Sequence, residues 1–340
     1  METNQLVIFG GAQSHGNLVD NDLYLLKLSS NETNGKWVKV PIKGERPNSR
    51  YGHQMIFFKP FILLIGGNIG NEPCKEVWCL SIERQPFFWS KINFEGNQPQ
   101  ARVYHAVSLW KGSERGDMIL MFGGRNSEGH ALNDLWGLRR HGDGKWDWIP
   151  APIKQKIDPQ PRYQHSMVCC KDIAIFIGGR NNNSLGLGLD VYDLNTSEWF
   201  VFPGINRFRH VSWVFLNNLM THGGFENDKP NQPINKLTQI NLKELFQNFP
   251  KLVDNIDVPF VGNKKKNGQY NLSTQVLVGQ YADDRGMRHF INLEDLSNEP
   301  MKMIDTIPTQ QKPTEQLHIQ SLYQTVLKYF LKPKDWKYTE

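Results

Sequence analysis

Arg50-Tyr51-Gly52-His53-Gln54-Met55-Ile56-Phe57-Phe58-Lys59-Pro60-Phe61-Ile62-Leu63-Leu64-Ile65-Gly66-Gly67 is the stretch on which the fold turns. Two short apolar runs stand either side of Lys59-Pro60, and the second runs straight into a glycine pair. Runs of this length bounded by Gly and Pro suit buried strands rather than helices. A strand that ends in Gly-Gly must turn sharply, because only glycine takes positive φ without a Cβ clash. The pattern recurs along the chain. Glycine pairs follow apolar runs at Gly10, Gly66, Gly123, Gly178 and Gly223, at spacings of 56, 57, 55 and 45 residues. Arg-x-x-His precedes four of them, at Arg50, Arg102, Arg162 and Arg207. The distance from Arg to glycine is 16 residues in three units and 21 in the second, where Lys111–Gly116 forms a polar insertion between strands.

Behind four of the pairs comes an acidic-apolar-aromatic step: Asp22-Leu23-Tyr24, Glu76-Val77-Trp78, Asp134-Leu135-Trp136 and Asp190-Val191-Tyr192. A tryptophan then closes the unit at Trp37, Trp89, Trp146 or Trp148, and Trp199. In the unit opened by Arg50 the spacing predicts four strands, His53–Phe58, Phe61–Ile65, Glu76–Leu80 and Phe88–Ile92, with the first innermost. A period near 50 with four strands is that of a kelch blade, and stacking such blades about an axis covers sheet faces that one blade leaves open. The fold class expected is therefore all-β, a kelch β-propeller with five recognisable blades in a six-blade-like ring and a C-terminal α-helical linker.

The blade sequences resemble the amino-terminal half of the protein phosphatases with Kelch-like repeats. The residues that carry the resemblance are Arg50-Tyr51-Gly52-His53, Gly66-Gly67-Asn68, Gly123-Gly124-Arg125, Trp136-Gly137-Leu138 and Arg162-Tyr163-Gln164-His165. Val326–Trp336 is similar to the stretch that leads into the phosphatase domain of that family. The family has six kelch units, whereas this chain has five glycine pairs and opens at Gln5–Phe9 on what reads as a second strand. The fifth unit has no closing tryptophan before Trp336, and Thr274–Val278 is the tail strand that could fill the ring. The domains read as a propeller over 1–245, an irregular extension over 246–300, and a linker over 301–340. Within that linker a helix is expected over 315–332, with Ile319, Leu322, Tyr323, Val326, Leu327 and Phe330 on one apolar stripe and Pro333 as its stop.

Composition narrows the function classes. The chain of 340 residues has a net charge of +5, too mild and too scattered for a dedicated nucleic-acid binder. Its one basic cluster, Lys264-Lys265-Lys266, reads as a solvated loop. The apolar run Met55–Ile65 is too short for a bilayer, and the first residues are unlike a signal peptide. Cys74, Cys79, Cys169 and Cys170 have no framework spacing and are expected reduced, in a cytoplasmic or nuclear protein. Phosphatase metal motifs are absent, and Gly116-Asp117, His141-Gly142-Asp143 and Asp284-Arg285-Gly286 read as turns. No cofactor is expected in this chain. The resemblance implies two divalent metals, Mn in kind, only in a phosphatase domain beyond Glu340.

Antiparallel pairing puts the start of one strand beside the end of the next, so the motif arginines and the glycine pairs should share one face. The candidate partner-binding residues there are Arg50, Tyr51, Asn68, Arg102, Arg125, Arg162, Tyr163, Arg180, Arg207 and Phe225, with Tyr104 and Phe208 beside them. Arginine and tyrosine are enriched at binding hot spots, and several arginines on one rim favour an acidic or phosphorylated protein segment. The motif arginines could equally tie strand ends and blades together, whereas Arg125 and Arg180 vary within the repeat and favour binding. Two functions follow. One is the non-catalytic, partner-recruiting propeller of a Ser/Thr phosphatase, tethered to the catalytic domain. The other is a freestanding kelch adaptor for a ubiquitin ligase or the cytoskeleton. Neither involves nucleic acid or membrane.

Overall fold

The computed structural model describes residues 5–13, 17–28, 35–83, 86–112, 116–152, 159–182, 187–215 and 217–256, with four two-residue strands between 263 and 289. The strands assemble as blades. In the first, β1 (Gln5–Phe9), β2 (Leu23–Leu28) and β3 (Gly35–Val40) pair in that order. The chain then leaves through β4 (Ile42–Lys43). The second blade is β5 (Gln54–Phe58), β6 (Phe61–Ile65), β7 (Val77–Ser81) and β8 (Phe87–Lys91), and β4 pairs in parallel with its outer strand β8. The third is β9 (Ala106–Trp110), β10 (Met118–Phe122), β11 (Leu135–Arg140) and β12 (Trp146–Pro150). The fourth is β13 (Ser166–Cys170), β14 (Ile173–Ile177), β15 (Leu189–Asp193) and β16 (Glu198–Phe202).

The fifth blade is less regular. It begins with β17 (Arg207–Phe208), β18 (Val211–Phe215), β19 (Asn218–His222), β20 (Phe225–Glu226), β21 (Lys229–Pro233) and β22 (Leu237–Asn241). β18, β19 and β22 form the blade, while β17, β20 and β21 form a small separate sheet. Two short helices follow, α1 (Leu242–Leu245) and α2 (Pro250–Ile256). Asn241 caps α1, its side chain accepting from the N–H groups of Lys243 and Glu244 at 3.0 and 3.3 Å. Beyond them lie the hairpins β23 (Asn263–Lys264) with β24 (Tyr270–Asn271), and β25 (Tyr281–Ala282) with β26 (Arg288–His289). The strand expected over Thr274–Val278 and the helix expected over 315–332 lie outside the described residues.

Burial explains the sequence of each strand. The second strand of a blade is covered on both faces, so β14 (Ile-Ala-Ile-Phe-Ile) is apolar and buried at every position. Outer strands alternate, as in β8, where Phe87 and Trp89 are buried while Phe88 and Ser90 face out. The cores lie between blades rather than within them. Phe9, Leu64, Trp78 and Trp89 join the first blade to the second; Leu63, Val107, Ile119 and Trp148 join the second to the third. Phe122, Phe176, Tyr192 and Trp199 join the third to the fourth.

In three seams the closing tryptophan of one blade packs toward the blade before it. Trp89 lies 5.9 Å from Phe9, and Trp199 lies 5.6 Å from Phe122. The seam between the fourth and fifth blades uses Phe246 instead, just past α1, with its ring 4.9 Å from that of Phe202. Leu242, Leu252 and Ile256 join it in that core. Burying Phe246 removes a large apolar side chain from water, worth about 1.5–3 kcal/mol. The chain past residue 245 thus continues into the last seam, and its first stretch is helical where an irregular extension was expected. Among the described residues no strand fills the inner position of the first blade beside β1, although β26 comes close to it.

Candidate functional site

The four motif arginines form the first group to be placed. Arg50, Arg102, Arg162 and Arg207 are only 0–3% exposed. Each points back into its own blade. Arg102 binds Asp134 through two bonds of 2.7 and 2.6 Å and the Gly123 carbonyl at 2.9 Å. Arg50 reaches the Gly66 carbonyl at 3.1 Å and Glu76 at 2.7 Å, and Arg162 takes the Gly178 and Gly188 carbonyls and Asp190. In the fifth blade Thr238 replaces the acid, and Arg207 donates to its hydroxyl at 2.8 Å and to the Lys236 carbonyl at 3.0 Å. A guanidinium so enclosed has no edge left for a partner, so Arg50, Arg102, Arg162 and Arg207 tie strands together rather than bind.

This also explains the acidic-apolar-aromatic step. In the second and third blades its acid faces the motif arginine and accepts from the indole two residues on, Glu76 from Trp78 at 3.1 Å and Asp134 from Trp136 at 2.6 Å. Burial pushes Glu76 up, but hydrogen bonds from Lys91, Arg50 and Trp78 outweigh it and hold the carboxyl at about 2. Asp134 is lowered in the same way, Arg102 overcoming its burial.

The glycine pairs and motif histidines weld neighbouring blades. Gly11, Gly67, Gly124 and Gly179 each donate their N–H to the carbonyl of the next blade's motif arginine, at 2.7–3.0 Å. At Gly123 (φ +62°) a Cβ would lie 2.5 Å from the Arg162 carbonyl oxygen, so any side chain would force the third and fourth blades apart. His165 packs edge-on against Phe122 at 5.5 Å, and His53 against Phe9 at 5.8 Å. Burial, reinforced by nearby Arg162, holds His165 well below the usual imidazole range. Burial followed by Arg207 lowers His210 to about 3.

On the outer side of these welds lies a face of different character. The residue after each motif arginine pairs with the residue after each glycine pair: Tyr51 with Asn68, Val103 with Arg125, Tyr163 with Arg180, Phe208 with Phe225. Exposed Arg125 and half-buried Arg180 both lie against the Tyr163 ring, each guanidinium 5.8 Å from its centre. Arg180 also lies 4.9 Å from the ring of Phe208, which stacks on Phe225 at 5.5 Å. The result is a ladder, Arg125–Tyr163–Arg180–Phe208–Phe225, across three blades. A second line of rings, Tyr51–Tyr104–Tyr163, meets it at spacings of 5.9 and 6.5 Å. Among the described residues no carboxylate pairs with Arg125 or Arg180. Tyr163 and Phe225, both buried, serve this face as platforms, and Asn68 shapes its loop by accepting from the Gly70 N–H at 2.8 Å.

The structure adds Gln164 and Arg209, which the sequence pattern did not single out, to Tyr104, which it did. The second position after each motif arginine has a left-handed backbone: Gly52 (φ 68°), Tyr104 (63°), Gln164 (58°) and Arg209 (54°). These four are linked blade to blade, Tyr104 N–H to Gly52 C=O at 2.8 Å, Gln164 to Tyr104 at 2.9 Å, and Arg209 to Gln164 at 2.8 Å. A left-handed residue with a Cβ costs about 1–2 kcal/mol. The signal was available in the variable x of Arg-x-x-His, where glycine gives way to three large polar residues.

Among the described residues no group of three or more His, Cys, Asp or Glu side chains could hold a metal ion, so these residues do not fit the metals of a phosphatase. No helix among them is long and apolar enough to cross a membrane.

This geometry, blades welded by Arg, Gly-Gly and His motifs, is that of a kelch-repeat propeller. A family model described as the KLHDC2/KLHL20/DRC7 Kelch-repeats domain matches residues 1–114 and 89–245, and the chain belongs to that family. It is 32% identical over 193 residues to the serine/threonine-protein phosphatase BSL2 of Arabidopsis thaliana, a match covering 55% of this chain and 17% of that protein. An F-box/kelch-repeat protein of the same plant is 29% identical over 56% of this chain and 38% of its own length. The leucine-zipper-like transcriptional regulator 1 of Homo sapiens is 25% identical over 55% of this chain and 22% of its own. The chain thus spans well under half the length of these relatives, and the similarity to the phosphatase lies in the kelch region alone.

Proposed function

We propose that this chain is a non-catalytic protein-interaction propeller whose glycine-pair face recruits an acidic or phosphorylated segment of another protein. One observation carries the reading: the Arg180 guanidinium lies 5.8 Å from the centre of the Tyr163 ring and 4.9 Å from that of Phe208, with Arg125 also 5.8 Å from Tyr163 and no carboxylate paired to either arginine among the described residues. A guanidinium set against aromatic rings gains cation–π attraction without spending its N–H donors, so its terminal nitrogens stay available to a planar or tetrahedral anion. An anion entering this ladder gains charge-assisted hydrogen bonds without having to displace an intramolecular acid.

The setting we infer is that of a Ser/Thr phosphatase, with the propeller positioning phosphoprotein substrates for a tethered catalytic domain that supplies both divalent metals. The similarity to the Arabidopsis phosphatase supports it. A freestanding adaptor is the second reading, supported by the similarity to an F-box/kelch-repeat protein. The reading frame beyond Glu340 separates the two. Metal-binding phosphatase motifs there favour the first, and an uninterrupted stop favours the second.

Binding itself is tested by fluorescence anisotropy with a labelled glutamate-rich peptide. Arg180→Ala is expected to weaken capture by about 1–3 kcal/mol, the loss of one desolvated anchor. Unchanged affinity in a folded variant would remove this face from consideration.

A further inference from the structure

The left-handed positions at the inner end of the same face carry a further reading, which rests on the assignment of that face to partner binding. The fold's own requirement there is met by glycine, as Gly52 demonstrates in the second blade. Tyr104, Gln164 and Arg209 hold the same conformation with large polar side chains. Strain of this kind persists where the side chain is used.

Their chemistry is that of a donor set. With its amide oriented to satisfy both groups, the Gln164 oxygen accepts from Arg209 Nε at 2.8 Å and from Nη2 at 3.1 Å. That pair fixes the Arg209 guanidinium and leaves Nη1, the second hydrogen of Nη2 and the Gln164 amide nitrogen as donors. Among the described residues no carboxylate pairs with Arg209. The group adjoins the ladder through Tyr104, whose ring lies 6.5 Å from that of Tyr163. Gln164 follows Tyr163 and Arg209 follows Phe208, the two rings that Arg180 lies against. The buried Nε of Arg180 has no hydrogen-bond partner.

We propose that Gln164 and Arg209, with Tyr104 and Arg180 beside them, form a seat for one phosphate group carried by the partner's segment. A carboxylate offers two oxygens in a plane. Two guanidinium groups and an amide offer more donors than it can use, and a phosphate monoester with three oxygens and nearly two charges matches them better.

The test is calorimetric titration of the full chain with three blocked peptides, Gly-Glu-X-Glu-Gly, in which X is phosphoserine, glutamate or serine. The phosphoserine peptide should bind about tenfold or more tighter than the glutamate peptide. Arg209→Gly should remove that preference while leaving the melting temperature equal or higher, since glycine takes the left-handed backbone freely. Arg209→Gln serves as a second variant that retains a side chain, and it too should lose the preference. Equal binding of the phosphoserine and glutamate peptides, or a preference that survives both variants, would overturn the seat. Arg180→Ala separates the two readings: it should weaken all three peptides. If it leaves them unchanged, the wider face fails even where the phosphate preference tracks Arg209.

Discussion

Arg162 and Arg180 stand in the same blade and have opposite fates. The first is enclosed by Asp190 and the carbonyls of Gly178 and Gly188, while the second lies against two aromatic rings with no acid paired to it among the described residues. The side chains are identical, so the difference lies in what each unit supplies as a counterpart. Every motif arginine finds one within its own blade: Glu76, Asp134, Asp190 or the hydroxyl of Thr238. Among the described residues the residue after the glycine pair has no acid or hydroxyl of this kind, Arg125 reaching only the Gly129 carbonyl at 3.0 Å, and it changes from unit to unit: Asn68, Arg125, Arg180, Phe225. In a repeat, the residue kept in each unit serves the unit, and the one that varies is available to what the assembled face meets.

The sharpest way to break this contrast is to remove the buried arginine. Arg162→Ala leaves Asp190 enclosed without its cation, and burial already pushes that carboxyl up with Arg162 as the main offset. Breaking one side of a buried pair costs about 3–5 kcal/mol, which urea unfolding would register as a large drop in midpoint. Arg125→Ala, on an exposed side chain, should stay within about 0.5 kcal/mol of the parent. Comparable losses for the two would erase the distinction.

Acid sharpens it next. His165 and His210 are held neutral in the folded chain, His210 at about 3 against an unfolded value of 6.5. A depressed imidazole contributes its full stability above the unfolded value and loses it as pH falls, because the unfolded chain takes up protons that the folded one refuses. Stability should therefore decline from about pH 6.5 downward, by up to about 1.4 kcal/mol per pH unit for each such histidine. Replacing His210 with Gln should flatten that decline in urea melts taken at pH 7, 6 and 5. An unchanged slope would mean that the blades are not sealed at this histidine.

A smaller effect concerns the fifth blade, where the arginine has no acid. Arg207→Ala strands two neutral groups, the Lys236 carbonyl and the Thr238 hydroxyl, so it should cost about 1–3 kcal/mol, less than Arg162→Ala. The reverse order would show that the carboxylate partner is not what distinguishes the units.

The blades were legible because their rules are local. The hairpin Gln54–Phe58 with Phe61–Ile65 follows from two apolar runs, a Lys-Pro turn and a glycine pair. The fate of the motif arginines was not legible from spacing. Their acids lie 26 to 32 residues away, and only the antiparallel register brings Asp134 across to Arg102. Phe246 escaped for another reason: it fills the last seam from beyond a helix, where a search for a strand tryptophan passes over it. Gln164 and Arg209 were hidden inside the variable positions of a motif, since a left-handed backbone leaves no mark when the residue is not glycine. Arg125 and Arg180 were visible as departures from their own repeat, and the ladder that joins them through Tyr163 was not.

The central claim is that partners meet the glycine-pair face. Hydrogen exchange of the full chain, with and without a saturating acidic phosphopeptide, tests it most directly. The account predicts added protection in the loops after the glycine pairs, over 68–74, 125–131 and 180–182, and at 207–210. The turns at the other end of the blades, over 59–60, 141–145, 171–172 and 194–197, should be unchanged. Protection at those turns with the glycine-pair loops unaltered would contradict it.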